Sequence, residues 1–241
     1  MNWPAVIELA DRKAVLPTLA AALTGDCDVE PASTFLHQSQ RDAHEPYVAA
    51  LRASLALNAA RNARLARQCA DISARLAAVD CPTVFLKGMG QILGNTYPLQ
   101  GARLTTDIDV LVPRNRLGAA VDALLADGYT ASGPLTPQDG RHHLAPLVRR
   151  GELAAVELHF DFAPGGLRCL SPSSILAEAR PVLGVDHGAV PSPTHAAILA
   201  VAHSMLRGQH VLRPNFHVRD GLDLLWSIAS HHADLRAAQD A

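Results

Sequence analysis

Apolar positions along the chain switch between helical and strand spacing. From Trp3 to about Leu23 they recur as in Val6, Leu9, Ala10 and Leu16, which predicts one or two short helices interrupted at Pro17. Residues from about Gly25 to Pro46 are mixed and polar. The run YVAALRASLALNAARNARLARQCADISARLAAV, Tyr47 to Val79, then continues without Gly or Pro and is rich in Ala, Leu and Arg, which predicts a long helix. Thr83 to Leu86 form a β-branched and aromatic run between Pro82 and Gly88, a first strand. A short helix over Gly90 to Leu93, a loop rich in Gly, Pro and Asn, and a second strand from Ile108 to Val112 follow. Asn115 to Asp127 reads as a helix stopped near Gly128, and Leu153 to Phe160 as a third strand. Beyond Pro172 the pattern returns to helices over Ser173 to Glu178, Thr194 to Leu206 with Thr194 as cap, and Val218 to Ser230. The expected fold is α+β, a small mixed β-sheet core with helices, flanked by N-terminal and C-terminal helical segments. The divisions fall at residues 1–80, 81–170 and 171–241. There is no internal repeat, and the Ala-rich tail after His231 is expected to fray.

With 241 residues, 49% of them hydrophobic, the chain can bury a sizeable core as one large domain or two small ones. The formal charge of -2 gives no global signal for nucleic acid or an anionic membrane. No apolar run approaches the ~20 residues that span a bilayer, and MNWPAVIELADRK lacks the basic-then-apolar order of a secretion signal, so a cytoplasmic protein is expected. Cys27, Cys69, Cys81 and Cys169 are scattered without a CxxC pair, and reduced, mostly buried thiols are expected.

The stretch TTDIDVLVP changes the picture, because side chains alternate along a strand and Asp107 and Asp109 therefore project from one face. Two carboxylates a few ångströms apart repel, and burying them together calls for a cation. A hard divalent ion such as Mg²⁺, held by one or two carboxylates plus substrate phosphates, is one answer, and Glu157 on a later strand could supply a third oxygen ligand. A pair solvated at a strand end is the other. Upstream, FLKGMG ends a strand in a Gly-rich turn where backbone N–H groups and Lys87 suit a phosphate, against a Lys87 that only reaches solvent. Arg103, four residues before Asp107, offers a bidentate phosphate contact or a plain pair with Asp107. VELHF adds Glu157 and His159 on one strand face.

Together the elements LKG at Leu86 to Gly88, YP at Tyr97 and Pro98, RLTTDIDVLV at Arg103 to Val112, GY at Gly128 and Tyr129, and VELHF at Val156 to Phe160 resemble the uncharacterised nucleotidyltransferase family of the DNA polymerase beta-like nucleotidyltransferase superfamily. The C-terminal HAAILAVAHSMLRGQ and FHVRDGLDLLW are similar to that family's helical segment, with a recurring His and Asp at His203 and Asp220. The resemblance implies a nucleotidyltransferase core and a metal-dependent transfer of NMP from an NTP, ATP among them, to a hydroxyl of a small molecule, peptide or protein, with release of pyrophosphate. It implies that Asp107, Asp109 and Glu157 hold Mg²⁺ or Mn²⁺ and carry catalysis, and that Lys87, Gly88 and Arg103 receive the triphosphate. One departure stands out: the superfamily's usual Gly-Ser pair lies closer to the DxD, whereas here Gly88 is followed by Met89 and a longer insertion.

Two other classes stand beside this reading: a degenerate nucleotide-binding or interaction module, and an RNA-modifying toxin of similar fold. An intact set of three repelling carboxylates argues against the first, and the near-neutral charge against the second, so neither nucleic acid nor membrane is the expected partner. His142 and His143 precede the third strand, as a substrate or phosphate contact or as a surface pair; His159 shares a face with Glu157 and lines the cleft or is a satisfied half-buried histidine. His203 and Asp220 either meet to brace the cleft or make a structural helix–helix bond, and His231 and His232 are expected to face solvent. Arg61, Arg64 and Arg67 share a helix face, solvated or set for a phosphate-rich acceptor.

Overall fold

The computed structural model describes residues 2–24, 38–138, 141–162, 170–206 and 217–239. Two short helices, α1 (Trp3–Arg12) and α2 (Leu16–Thr24), lead to the 40-residue α3 (Gln38–Ala77). The break between α1 and α2 falls at Lys13 to Val15, where Ala14 takes φ 56, and not at Pro17. Pro17 sits in the first turn of α2, where a missing N–H costs nothing. α3 begins nine residues before the expected start at Tyr47 and runs through Pro46.

The sheet has seven strands in the order β3-β4-β5-β2-β1-β7-β6. They are β1 (Thr83–Phe85), β2 (Asp107–Leu111), β3 (Thr130–Ala131), β4 (Leu147–Val148), β5 (Ala155–His159), β6 (Arg180–Val182) and β7 (Val185–Val190). Three of them are the expected strands. β3 and β4 are two residues long and carry no readable period. The β6–β7 hairpin lies between two expected helices, Ser173 to Glu178 and Thr194 to Leu206, where no strand is expected from sequence because Pro181, Asp186 and Gly188 are residues depleted in strands. Pairing with β1 decides the matter: β7 runs parallel to it, Thr83 opposite Gly188 and Val84 opposite Ala189.

Alternation on the central strands sorts side chains to two faces. Ile108, Val110, Val156, Leu158 and Phe85 face α3 and α5 (Leu117–Ala126), where Leu65, Cys69, Ile72 and Leu76 supply the α3 stripe of the main core. Val84, Leu86 and Leu111 face the other way, against α6 (Pro172–Ala177) and α7 (Pro193–Leu206). That second face also carries Asp107, Asp109, Glu157 and His159. The remaining helices are α4 (Lys87–Leu93), starting three residues earlier than expected, and α8 (Val218–Gln239), which continues helical through the tail expected to fray.

Cys69 and Cys81 are buried and free, as expected; Cys27 and Cys169 lie outside the described residues. Burial pushes the Cys81 thiol up to about 11 and Cys69 further still, so both stay protonated. Among the described residues no helix is long and apolar enough to cross a membrane.

Candidate active site

The parallel register of β2 and β5 sets Asp109 directly opposite Glu157, Asp107 opposite Ala155 and Leu111 opposite His159. Asp109 is buried, while Asp107 and Glu157 are half-buried. Asp109 Oδ1 accepts from Lys87 Nζ at 2.6 Å and from His159 Nε2 at 2.7 Å, and the His159 Nδ1 lies 3.3 Å from the Asp161 carbonyl. His159 is wholly enclosed behind Asp109 and does not line the cleft. Burial by itself would strip its proton, but hydrogen bonds to Asp109 and Glu157 outweigh that and raise its affinity, so the ring donates from both nitrogens.

The three carboxylates are held differently. Burial opposes ionisation of Asp109, yet the His159 hydrogen bond and the Lys87 charge hold it far below the usual carboxylate range. The His159 hydrogen bond likewise lowers Glu157, against burial and the Asp109 charge. Asp107 is raised, by burial first and then by the Asp109 charge, with Lys87 opposing. Gathering all three ionised therefore calls for added positive charge. Asp109, Glu157 and His159 each bring a ligand atom within 4.8 Å of the others; Asp107 stands outside that group and lines the same cavity.

Lys87 is at the β1–α4 junction with φ 47, a left-handed conformation sparsely populated by residues other than glycine, and its side chain is committed to Asp109. Gly88 lies against Thr105 so closely that a Cβ would fall 2.2 Å from the Thr105 Oγ1, and only glycine fits there. Residues 142–144 run beside β5: Phe160 N–H donates to the His142 carbonyl at 3.1 Å and Leu144 N–H to the Leu158 carbonyl at 2.9 Å. This places the His143 Nδ1 3.7 Å from Glu157 Oε2 and 2.7 Å from the Leu144 carbonyl. The His142 ring lies 5.2 Å from that of His159, tilted by 49°, and burial together with the His159 and His143 charges pushes it down to about 3.

Lys87, Gly88, the three carboxylates, His142 and His143 form one wall of a cavity of about 390 Å³, within the usual size of small-molecule sites. The opposite wall comes from α7 and α8 and includes Leu199, His203, Arg219 and Asp220, with Phe162 beside them. Arg103 lines the cavity but spends its fork elsewhere: Nε and Nη2 donate to the two Asp223 oxygens, both at 2.7 Å, and it does not pair with Asp107. Tyr97 donates to the same carboxylate at 2.7 Å. His203 and Asp220 do meet, with 3.2 Å between Nδ1 and Oδ2. Of Arg61, Arg64 and Arg67 on α3, Arg61 donates to the Thr105 carbonyl, while Arg64 and Arg67 are exposed. The His231 and His232 side chains lie outside the described residues.

Sequence reasoning overlooked Asp223, Arg219 and Phe162. Asp223 is 120 positions from its partner Arg103, a separation no spacing rule spans. The available signal was Asp220 and Asp223 at i and i+3, the second set in the apolar run of α8 from Leu222 to Trp226. The sequence model of a family described as uncharacterised nucleotidyltransferase matches residues 1–239. No curated protein matches the chain.

Proposed function

The chain belongs to this uncharacterised nucleotidyltransferase family, and from that premise we propose that it transfers a nucleoside monophosphate from an NTP to an acceptor hydroxyl, releasing pyrophosphate. The observation that carries the reading is the direct pairing of Asp109 with Glu157 across β2 and β5, with Asp107 two residues upstream, at the wall of a nucleotide-sized cavity.

The donor set fits a divalent cation. Oxygens of Asp107, Asp109 and Glu157 suit Mg²⁺ or Mn²⁺, and the one raised carboxyl among them, Asp107, marks negative charge in excess of what Lys87 and His159 offset. When bound, such a cation supplies charge neutralisation at the attacking and leaving oxygens. His159 and its bond to the Asp161 carbonyl fix the Asp109 carboxylate, as partners behind a ligand do. Lys87, which in this structure donates to Asp109, would offer its ammonium to a phosphate beside Gly88, whose lack of a side chain lets the chain lie close. Arg103, its charge offset by Asp223, adds less to phosphate binding than Lys87 does. His143 lines the cavity next to Glu157, its Nδ1 bonded to the Leu144 carbonyl and 3.7 Å from the Glu157 carboxylate.

Thermal unfolding of wild type and Asp107→Asn with each of the four NTPs, with and without Mg²⁺, tests the reading. A ligand at ~100 times its dissociation constant adds about 2.7 kcal/mol, which raises the midpoint by several degrees in a chain of this size. A Mg²⁺-dependent rise with one NTP, lost in Asp107→Asn, is expected and names the donor. No rise with any NTP overturns the assignment.

A further inference from the structure

Outside the carboxylate wall the cavity holds one pair of groups arranged for proton transfer. His203 projects from α7 and Asp220 from the first turn of α8, so they meet only because the two helices pack together at the cavity. Asp220 is buried, 3% exposed, and its Oδ2 lies 3.2 Å from His203 Nδ1. A carboxylate can only accept, so the proton of the neutral imidazole resides on Nδ1 and Nε2 keeps its lone pair. Nε2 makes no hydrogen bond among the described residues, and the ring borders the cavity with its side chain 25% exposed. Burial would raise the Asp220 carboxyl, but the His203 hydrogen bond, with Arg219 and His217, outweighs it and holds the group ionised. A buried, ionised carboxylate that fixes one nitrogen and leaves the other bare toward a substrate cavity is the arrangement of a general base.

We propose that His203, oriented by Asp220, accepts the proton of the acceptor hydroxyl, which places the acceptor between the α7–α8 wall and the carboxylates. The proposal rests on the transfer reading above. In the step, the acceptor oxygen bonds to the α-phosphorus and the bond from that phosphorus to the bridging oxygen of the β-phosphate breaks. The electron pair leaves with pyrophosphate, and the hydroxyl proton passes to His203 Nε2, leaving an imidazolium beside the Asp220 carboxylate. The apolar flank at Leu199 and Phe162 shields that proton from solvent and favours an acceptor with an apolar body beside its hydroxyl.

The test uses the full chain, the NTP that stabilises it, Mg²⁺, and 1-butanol as a hydroxyl acceptor with an apolar body, with pyrophosphate release as the signal. His203→Ala is expected to lower kcat by about 10²- to 10⁴-fold with the KM for NTP unchanged, and added imidazole to restore part of the rate. A wild-type rate in His203→Ala overturns the proposal, and so does a loss that imidazole fails to restore and that comes with a raised KM. A second arm needs no acceptor: in two-bond ¹H–¹⁵N spectra of the imidazole rings, His203 is expected as the Nδ1–H form, with Asp220→Asn shifting the proton toward Nε2. A neutral His203 protonated on Nε2 in the wild type rules the base out even if no turnover is found. Absence of stabilisation by any NTP defeats the transfer reading itself and is distinguishable from either result.

Discussion

Asp107 and Asp109 share a strand face and differ in surroundings, so their removal has opposite consequences for the metal-free fold. A symmetric argument, that deleting either of two repelling charges is harmless, holds for Asp107 alone. Asp109 compensates Lys87 and the fully buried His159, and Asp109→Asn takes the 2.7 Å counter-charge from that ring and leaves it only Glu157, 3.8 Å away. Breaking a buried pair in this way costs about 3 kcal/mol, or roughly 6–12 °C in a chain of this length. Asp107 is raised by burial and by its neighbour, and Asp107→Asn relieves both, so its midpoint should match or exceed the wild type. Thermal unfolding in chelator decides the point; equal losses in the two variants would refute the asymmetry. The DxD spacing made both residues visible in the sequence. Their inequality was not visible, since it comes from Lys87, 22 residues away from Asp109, and His159, 50 away.

Helix α3 does more than cover the sheet. Asn58 and Asn62, one turn apart and both buried, aim their amides at the loop before β2. Asn58 Nδ2 donates to the carbonyls of Gly101 at 2.7 Å and Arg103 at 3.0 Å, and Asn62 Nδ2 to those of Gln100 at 2.7 Å and Arg103 at 2.9 Å. These bonds satisfy loop carbonyls that no strand partner reaches, and they set where Thr105 and Asp107 enter the sheet. Asn62→Ala is therefore expected to lower stability by about 1–3 kcal/mol, read as a shifted urea midpoint at constant slope. Arg64→Ala, on the exposed side of the same helix, should stay within about 0.5 kcal/mol. A comparable loss in both would remove the clamp from the account. The long helix was legible from its composition. The asparagines were not, because a polar residue in an Ala-rich helix reads as solvent-facing until its partner loop is placed.

Packing of α8 against the sheet unit makes the cavity two-walled. Asp223 binds Arg103 through both oxygens and also accepts from Tyr97, and Ser227 on the same helix accepts from Gln91 Nε2 at 3.1 Å. Arg103 and Asp223 are each 4% exposed, so Asp223→Asn strands a guanidinium in the interior. A loss of about 3–5 kcal/mol is expected, against about 1 kcal/mol for Tyr97→Phe, which removes one neutral donor. Amide exchange along α8 should quicken far more in Asp223→Asn than in Tyr97→Phe. Uniform exchange rates in the two variants would show that the apolar contacts of α8, and not this network, seat the helix.

Local pattern was enough to determine the long helix α3, the three central strands and the chemistry they carry, because a period of two on Ile108, Val110, Val156 and Leu158 fixes which way Asp109 and Glu157 must point. It was enough, too, to place Lys87, Gly88 and the histidines near that chemistry. Tertiary structure alone decided the rest: that Lys87 spends its charge on Asp109, that Arg103 turns to Asp223, that β7 completes the sheet beside β1, and that His203 meets Asp220 across two helices. Periodicity reports the direction in which a side chain leaves its own element. Which distant group fills the space there follows from how the elements pack, and no spacing within a single element encodes it.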